Sequence, residues 1–275
     1  MNYSERAYLA LMDDILASGD SKEDRTGVGT FSKFMPPPLK FWNVGIYFPL
    51  MTTKKMAWKS ILAETLWFVQ GRYDLESLRA DGCHWWDDWE REDGTLGRVY
   101  GAQLRHWVRP DGTEFDQLAW VINEIKTNPR SRRLVMTMWN AGELDNMALP
   151  PCHGALIQFY AREEGNRKML DLMVHIRSSD VFLGLPTNIA GYALLLKMVS
   201  HVTGREADIL TVSLGDAHVY KNHVAAVLTQ TPRTPAPFPQ VIIDPTITNI
   251  DDLRPEHFTL EHYNPQSKIS APIAV

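Results

Sequence analysis

The sequence predicts an α+β fold, with a sheet packed against helices, and three observations carry that reading. The second half holds a succession of strand-like segments at residues 134–139, 155–160, 168–176, 208–214 and 240–243. Within 168–176, Leu170, Leu172, Val174 and Ile176 alternate with Asp171, Met173 and His175, so one face is offered to a core. Between the strands, residues 189–202 carry Ile189, Tyr192, Ala193, Leu196, Met198 and Val199, the pattern of a helix buried on most sides.

The first half completes the picture. Residues 2–15 read as a helix with Tyr8, Leu9, Leu11, Met12 and Ile15 on one side. Pro36, Pro37, Pro38 and Gly45 break residues 31–48 into short extended pieces. In residues 55–70, Trp58, Ile61, Leu62, Leu66, Trp67 and Val69 fall near the helical period, and Gly71 supplies a stop. Residues 74–107 are rich in aromatic and charged side chains without long periodicity, as in a peripheral region of short helices and loops. No repeat, low-complexity tract or long Gly/Ser linker interrupts the chain, so residues 1–275 read as one domain.

Composition narrows the function. Hydrophobic residues at 44% and charged residues at 22% exclude a disordered or fibrous protein. A formal charge of −5 means that anion binding must come from a local cationic cluster, and DNA binding is not expected. Two cysteines, Cys83 and Cys152, can form neither a disulfide framework nor a four-cysteine metal site. No apolar run approaches the ~20 residues that span a bilayer, and the first residues lack a secretory pattern. The expectation is a soluble protein of a reducing cytoplasm.

Neither GxGxxG, a Walker A loop, GxSxG nor HExxH occurs. His218 and His223 are awkwardly spaced for one helix face and lack companions for a metal set, so a metal-free mechanism is expected. A cysteine nucleophile remains. Cys83 and Cys152 each precede a histidine, His84 and His153, but neighbours on an extended strand point to opposite faces and make no dyad. A free cysteine is commonly a small buried hydrophobe. Cys152 differs in following Pro150-Pro151, a rigid approach that suits a nucleophile. Arginines form a second constellation: Arg132 and Arg133 before one strand, Arg177 with Ser178 at the end of another, and Arg25 in Asp24-Arg25-Thr26-Gly27. Singly, each fits a surface salt bridge; together they make a cradle for a phosphate dianion. Trp85, Trp86 and Trp89 fit either a core or an aromatic platform for a flat heterocycle. The residues alone point to a small phosphorylated ligand near a cysteine.

Eight motifs in order resemble the thymidylate synthase family and span nearly the whole chain. They are Asp24-Arg25-Thr26-Gly27, Thr52-Thr53-Lys54-Lys55, Glu64 with Leu66-Trp67-Phe68, Ser131-Arg132-Arg133, Leu149-Pro150-Pro151-Cys152-His153, the stretch from Arg177 to Ala190, Gly215 to Tyr220, and the terminal Ala271-Pro272-Ile273-Ala274-Val275. The resemblance implies a central mixed sheet packed against helices, with a sheet face forming a homodimer interface. It implies that Cys152 adds to C6 of dUMP, that Arg25, Arg177 and Ser178 hold the phosphate, and that Arg132 and Arg133 reach it from the partner subunit. Asn188 would pair with the uracil edge, and His218 and Tyr220 with the deoxyribose 3′-hydroxyl. Glu64 would organise waters for proton transfer, and Tyr100 would help remove the C5 proton. For the second substrate, 5,10-methylenetetrahydrofolate, Asp180 would contact the pterin, Trp86, Trp89 and Gly184 would line its site, and Val275 would close over it.

The implied activity is reductive methylation of dUMP to dTMP. The same family includes phage hydroxymethylases, in which water replaces hydride and tetrahydrofolate is released, and a silent nucleotide- or RNA-binding relative is a third class. The sequence departs from the common synthase pattern at Thr187 (usually Phe), Ile176 (usually Gln), Leu214 (usually Gly) and at Ala57 and Ala63 (usually His), and the stretch Gly154-Ala155-Leu156 is one residue longer. Asn188 favours uracil, since Asp there accompanies the cytosine hydroxymethylases. Retained Cys152, Glu64, Tyr100 and Asn188 argue for an enzyme over a binding protein.

Overall fold

The computed structural model describes residues 2–273. Helix α1 (Tyr3–Ser18) begins where the Asn2 side chain accepts the Glu5 amide at 3.0 Å, and it runs three residues beyond the expected end at Ile15. Its buried Glu5 ties the first helix to the chain around residue 52: the carboxylate accepts the backbone N–H groups of Thr52 and Thr53, both at 2.7 Å, and both threonine hydroxyls. Strands β2 (Thr30–Phe34) and β3 (Leu39–Phe41) are the short extended pieces expected around the prolines, and a further short strand, β1 (Asp20–Lys22), precedes them. Helix α2 (Trp58–Val69) follows, ending at Gln70 before Gly71, whose φ is +73°.

The peripheral region contains α3 (Leu75–Ala80), α4 (Gly101–Arg105) and a hairpin of β4 (Trp107–Val108) and β5 (Glu114–Phe115). Helix α5 (Gln117–Thr127), capped by Asp116, is an element the sequence reading lacked, although Leu118, Val121, Ile122 and Ile125 fall at helical spacing. Then come β6 (Val135–Met136), β7 (His153–Glu164), β8 (Arg167–Asp180), α6 (Gly184–Thr203), β9 (Glu206–Tyr220), α7 (Val224–Gln230), β10 (Gln240–Ile243) and β11 (Phe258–Glu261).

The main sheet has seven strands in the order β1-β2-β9-β8-β7-β6, with β3 also paired to β9. Only β8 and β9 run parallel, joined by α6, so the sheet is mixed as expected. Parallel neighbours need a crossover, and α6 supplies it while covering one sheet face and packing on α2. Leu170, Leu172, Val174 and Ile176 are buried on that face, whereas Met173, His175, Thr211 and Ser213 on the other are half-buried. None of the described helices is long and apolar enough to cross a membrane.

One expected strand is shorter than its pattern. Residues 134–139 read as a strand, but the regular register with β7 ends at Met136, and beyond it the Met138 N–H makes one further bond to the Gly154 carbonyl at 2.8 Å. The cause lies opposite: β7 carries a bulge between His153, which pairs with Ile176, and Leu156, which pairs with His175. The bulge falls at Gly154-Ala155-Leu156, with Gly154 at φ +72°. Thr137 is instead satisfied by the Gln117 side chain, which accepts its N–H at 3.0 Å and donates to its carbonyl at 2.8 Å.

A Cβ at Gly154 would stand 2.9 Å from both Met138 Sδ and Tyr192 Oη. Gly154→Ala is therefore expected to destabilise by about 1–3 kcal/mol, from the left-handed backbone and the crowding together. A lower denaturant midpoint at unchanged slope checks it.

Candidate active site

The site is built at the C-terminal ends of β8 and β9 and the first turns of α6. Parallel pairing sets Ser178 beside Asp216 and Asp180 beside His218, and antiparallel pairing sets Thr30 beside Tyr220. The β1–β2 loop that carries Arg25 thus stands next to Tyr220.

Cys152 lies at the start of β7, half-buried, while Cys83 is sealed in the core and its thiol is pushed by burial up to about 12. The chain before Cys152 is pinned by two side chains. Arg177 Nε donates to the Pro151 carbonyl at 2.8 Å and its Nη2 to the Pro150 carbonyl at 3.0 Å. The Cys152 N–H donates to Tyr100 Oη at 3.1 Å, and its carbonyl accepts the Arg177 N–H at 3.0 Å. Burial raises the Cys152 thiol above its usual range, against the opposing pull of the Arg177 charge, the Tyr100 hydroxyl and the Arg25 charge. These cations are what favour a thiolate there.

Tyr100 is held in an uncommon backbone conformation, φ 45° and ψ −97°, at the entrance to α4. Its ring is buried, stacking on His153 with centroids 4.5 Å apart and on Phe68 at 4.8 Å. His153 is no partner for the thiol: its Nδ1 pairs with Tyr192 Oη at 2.7 Å, and burial lowers its pKa to about 3, so it is neutral. The geometry agrees with the reading that Cys152-His153 is not a dyad.

Behind His153 a narrow cleft of about 30 Å³ runs between α2, α4 and α6. Glu64, Thr187, Asn188, His153 and Tyr192 contribute its polar groups. Trp86 Nε1–H donates to Glu64 Oε1 at 2.6 Å, and burial raises this carboxyl to about 7. Among the described residues, the Asn188 amide makes no side-chain hydrogen bond, which leaves donor and acceptor open at the cleft wall. Trp86 and Trp89 form an edge-on pair at 5.7 Å, half-buried against the core. They are thus neither wholly core nor a free platform.

Asp180 Oδ1 accepts the backbone N–H groups of Phe182 at 2.9 Å and Leu183 at 3.2 Å, just ahead of Gly184 at the start of α6. His223 Nδ1 stands 3.6 Å from the same oxygen, within an ion pair but beyond a hydrogen bond. Lys54 is buried, donates to the Phe182 carbonyl and sits 3.7 Å over the Phe182 ring; burial lowers its pKa to about 7, against the Asp180 charge. The sequence offered Thr52-Thr53-Lys54-Lys55 as a motif but no role for Lys54, whose neighbours come from residues 180–182. His218 Nδ1 pairs with Asp216 Oδ1 at 3.0 Å, and its ring meets Tyr220 edge-on at 5.2 Å. These contacts hold Asp216 down to about 2, and burial pushes Tyr220 up to about 12.

The chain therefore gathers Cys152, Tyr100, Arg177, Ser178 and Arg25, with Asn188 and Glu64 in the adjoining cleft. Arg132 and Arg133 stay apart, exposed in the turn before β6, and among the described residues neither joins an ion pair. Val275 lies outside the described residues. Among the described residues no group of three or more His, Cys, Asp or Glu is arranged to hold a metal ion.

Glu64 carries a testable signature. The unfolded chain loses its proton near the usual 4.5 and the folded chain near 7, so the folded form binds the proton more tightly. Stability from this group is present below about 4.5 and lost as pH rises through 7. Glu64→Gln is expected to be more stable than the parent by about 3 kcal/mol at pH 8, the gap closing as pH falls toward 5, in urea unfolding.

A family model described as thymidylate synthase matches residues 6–275 of the chain.

Proposed function

The chain belongs to the thymidylate synthase family, a family of one-carbon transferases that bind dUMP and use methylenetetrahydrofolate, and from that premise we propose reductive methylation of dUMP to dTMP. The observation that carries the reading is Cys152 half-buried between the Arg177 and Arg25 charges, one residue from the wall of a cleft that offers an unpaired amide, Asn188, and a near-neutral carboxyl, Glu64.

On this reading the Cys152 sulfur forms a bond to C6 of the uracil, and the electron pair displaced from C5–C6 moves toward O4. The Asn188 amide donates to that developing charge, and as an amide it also accepts from N3–H. C5, now nucleophilic, takes the one-carbon unit from the second substrate. The C5 proton then leaves to a water held near Tyr100 as the bond between the one-carbon unit and the folate nitrogen breaks, giving an exocyclic methylene and tetrahydrofolate. Hydride from that tetrahydrofolate to the methylene expels the sulfur from C6 and leaves dTMP and dihydrofolate. Glu64, at about 7, is poised to give or take a proton near neutrality. Arg25, Arg177 and Ser178 hold the phosphate, with His218 and Tyr220 at the sugar. Trp86, Trp89, Asp180 and Gly184 face the folate, whose ring suits half-exposed indole faces.

The proposal includes a homodimer in which Arg132 and Arg133 complete the phosphate site of the partner. It is supported by the exposure of both guanidiniums and by the half-buried sheet face at Met173, His175, Thr211 and Ser213. The whole chain is proposed as one catalytic domain acting in the cytoplasm, in keeping with one hydrophobic cluster running from Tyr8 to Phe258.

One observation favours a second reading, formation of hydroxymethyl-dUMP. Thr187 lies in the cleft wall beside Asn188 and Glu64, where a bulkier side chain would exclude water, and its hydroxyl donates back to the Leu183 carbonyl at 3.3 Å.

Mass spectrometry of the nucleotide and absorbance of the folate separate the two. A methyl product with dihydrofolate is expected; a hydroxymethyl product with tetrahydrofolate overturns the first reading. Thr187→Phe is expected to lower any hydroxymethyl fraction several-fold. Cys152→Ala should reduce turnover by at least ~10³-fold while dUMP is retained within a few-fold in equilibrium dialysis, since removing the nucleophile abolishes the covalent path and leaves the binding groups.

A further inference from the structure

At the far end of α6, a second cleft of about 280 Å³ opens between the last turns of that helix, the start of β9 and the turn at residues 43–46. Ser200 in its wall lies about 18 Å along α6 from Asn188, at ~1.5 Å per residue, so this cleft is separate from the Cys152 site.

Its polar lining is unbalanced. Lys197 Nζ has a neutral partner, the Gly45 carbonyl at 2.9 Å, and burial alone lowers its pKa to about 8. Arg205 Nη1 is buried without a hydrogen-bond partner. Ser200 is only 2% exposed, and its hydroxyl also has no partner. The one carboxylate in the lining, Glu206, is engaged by Arg167 at 2.7 Å. Among the described residues no ion pair involves Lys197 or Arg205.

Buried donors without acceptors are costly, and two such donors, Arg205 Nη1 and Ser200 Oγ, belong to residues that line one cleft with a lysine whose charge has no counter-ion. The arginine fork and the lysine point charge together match a tetrahedral oxyanion. The volume exceeds that of a bare ion and approaches the lower end, about 300 Å³, of small-molecule pockets. We propose that this cleft binds a phosphate group, free or carried by a small metabolite, through Lys197, Arg205 and Ser200.

Equilibrium dialysis of the full chain with labelled inorganic phosphate, and separately with ribose 5-phosphate, tests it. Because the Cys152 site can also take phosphate, the readout is the difference between proteins. Lys197→Met and Arg205→Ala are each expected to lose one site per chain, or to weaken it at least tenfold, with dUMP affinity unchanged. Lys197→Arg, which keeps the charge, is expected to retain the site, so that a loss through misfolding is recognised. A loss seen with inorganic phosphate assigns the free ion, and a loss seen only with ribose 5-phosphate assigns a phosphorylated metabolite. An equal number of sites and equal affinity for both probes in parent, Lys197→Met and Arg205→Ala overturns the proposal.

Discussion

The candidate site depends on how the three residues before β7 are held. Two successive prolines contribute no N–H, so the segment offers carbonyls and a single donor, that of Cys152. Arg177 takes both proline carbonyls with its guanidinium, and its own N–H takes the Cys152 carbonyl. Tyr100 receives the remaining donor. The backbone around the cysteine is therefore satisfied by two side chains that also set the charge and polarity around its sulfur. Tyr100 can do so because its ring is clamped between Phe68 and His153, which maintains a backbone conformation that would otherwise cost ~1–3 kcal/mol. The sulfur is placed by the fold rather than by a mobile loop, in keeping with nucleophilic attack on a ring of fixed orientation.

Burial without full compensation is the common electrical theme around it. Glu64 and Lys54 both move to about 7, one from below and one from above, because each sits inside with only one or two polar neighbours. The Cys152 thiol is likewise raised, and within one chain only Arg177 and Arg25 oppose the shift by charge. Arg177 already spends two donors on proline carbonyls, which limits what it can offer an anion. On the proposed reading, the exposed guanidiniums of Arg132 and Arg133 from a second copy would add the charge that one chain lacks, and that is the physical reason for a shared site.

Much of the fold was legible because its signals are local. The period-2 alternation through β8, the apolar belt of α6 and the stripe of α1 each record burial directly in the sequence. Helix α5 was equally legible, with Leu118, Val121, Ile122 and Ile125 at helical spacing behind the Asp116 cap, and was missed all the same, whereas β6 was overread because its pattern does not reveal the bulge at Gly154 in the strand beside it. The site divides along the same line. Cys152, Arg177 and Asn188 sit in contiguous motifs, whereas the Trp86–Glu64 bond joins residues 22 apart and the role of Glu5 joins residues 47 apart. Nothing in the tryptophan cluster itself discloses which ring turns its N–H toward a carboxylate. Nor does an unremarkable glutamate in the first turn of a helix announce that it will be the acceptor for two threonines.

Asp180 shows why such long-range pairings matter for function. Its Oδ1 closes the start of α6 by accepting two backbone donors, and the same oxygen faces His223. His223 in turn pairs through Nε2 with the Pro272 carbonyl, near the end of the described chain. Burial disfavours the charged imidazole, but Asp180 on one side and the Pro272 carbonyl on the other outweigh it, so the net shift is upward. One carboxylate thereby faces the start of α6, one turn ahead of Asn188, the His223 ring that holds the Pro272 carbonyl, and the Lys54 charge. A ligand that approaches Asp180 finds Oδ1 committed, so a new hydrogen bond must be taken by Oδ2 or made at the expense of the helix start. On the proposed reading, a ligand held by that carboxylate would therefore share it with the helix start and with the ring that holds the Pro272 carbonyl.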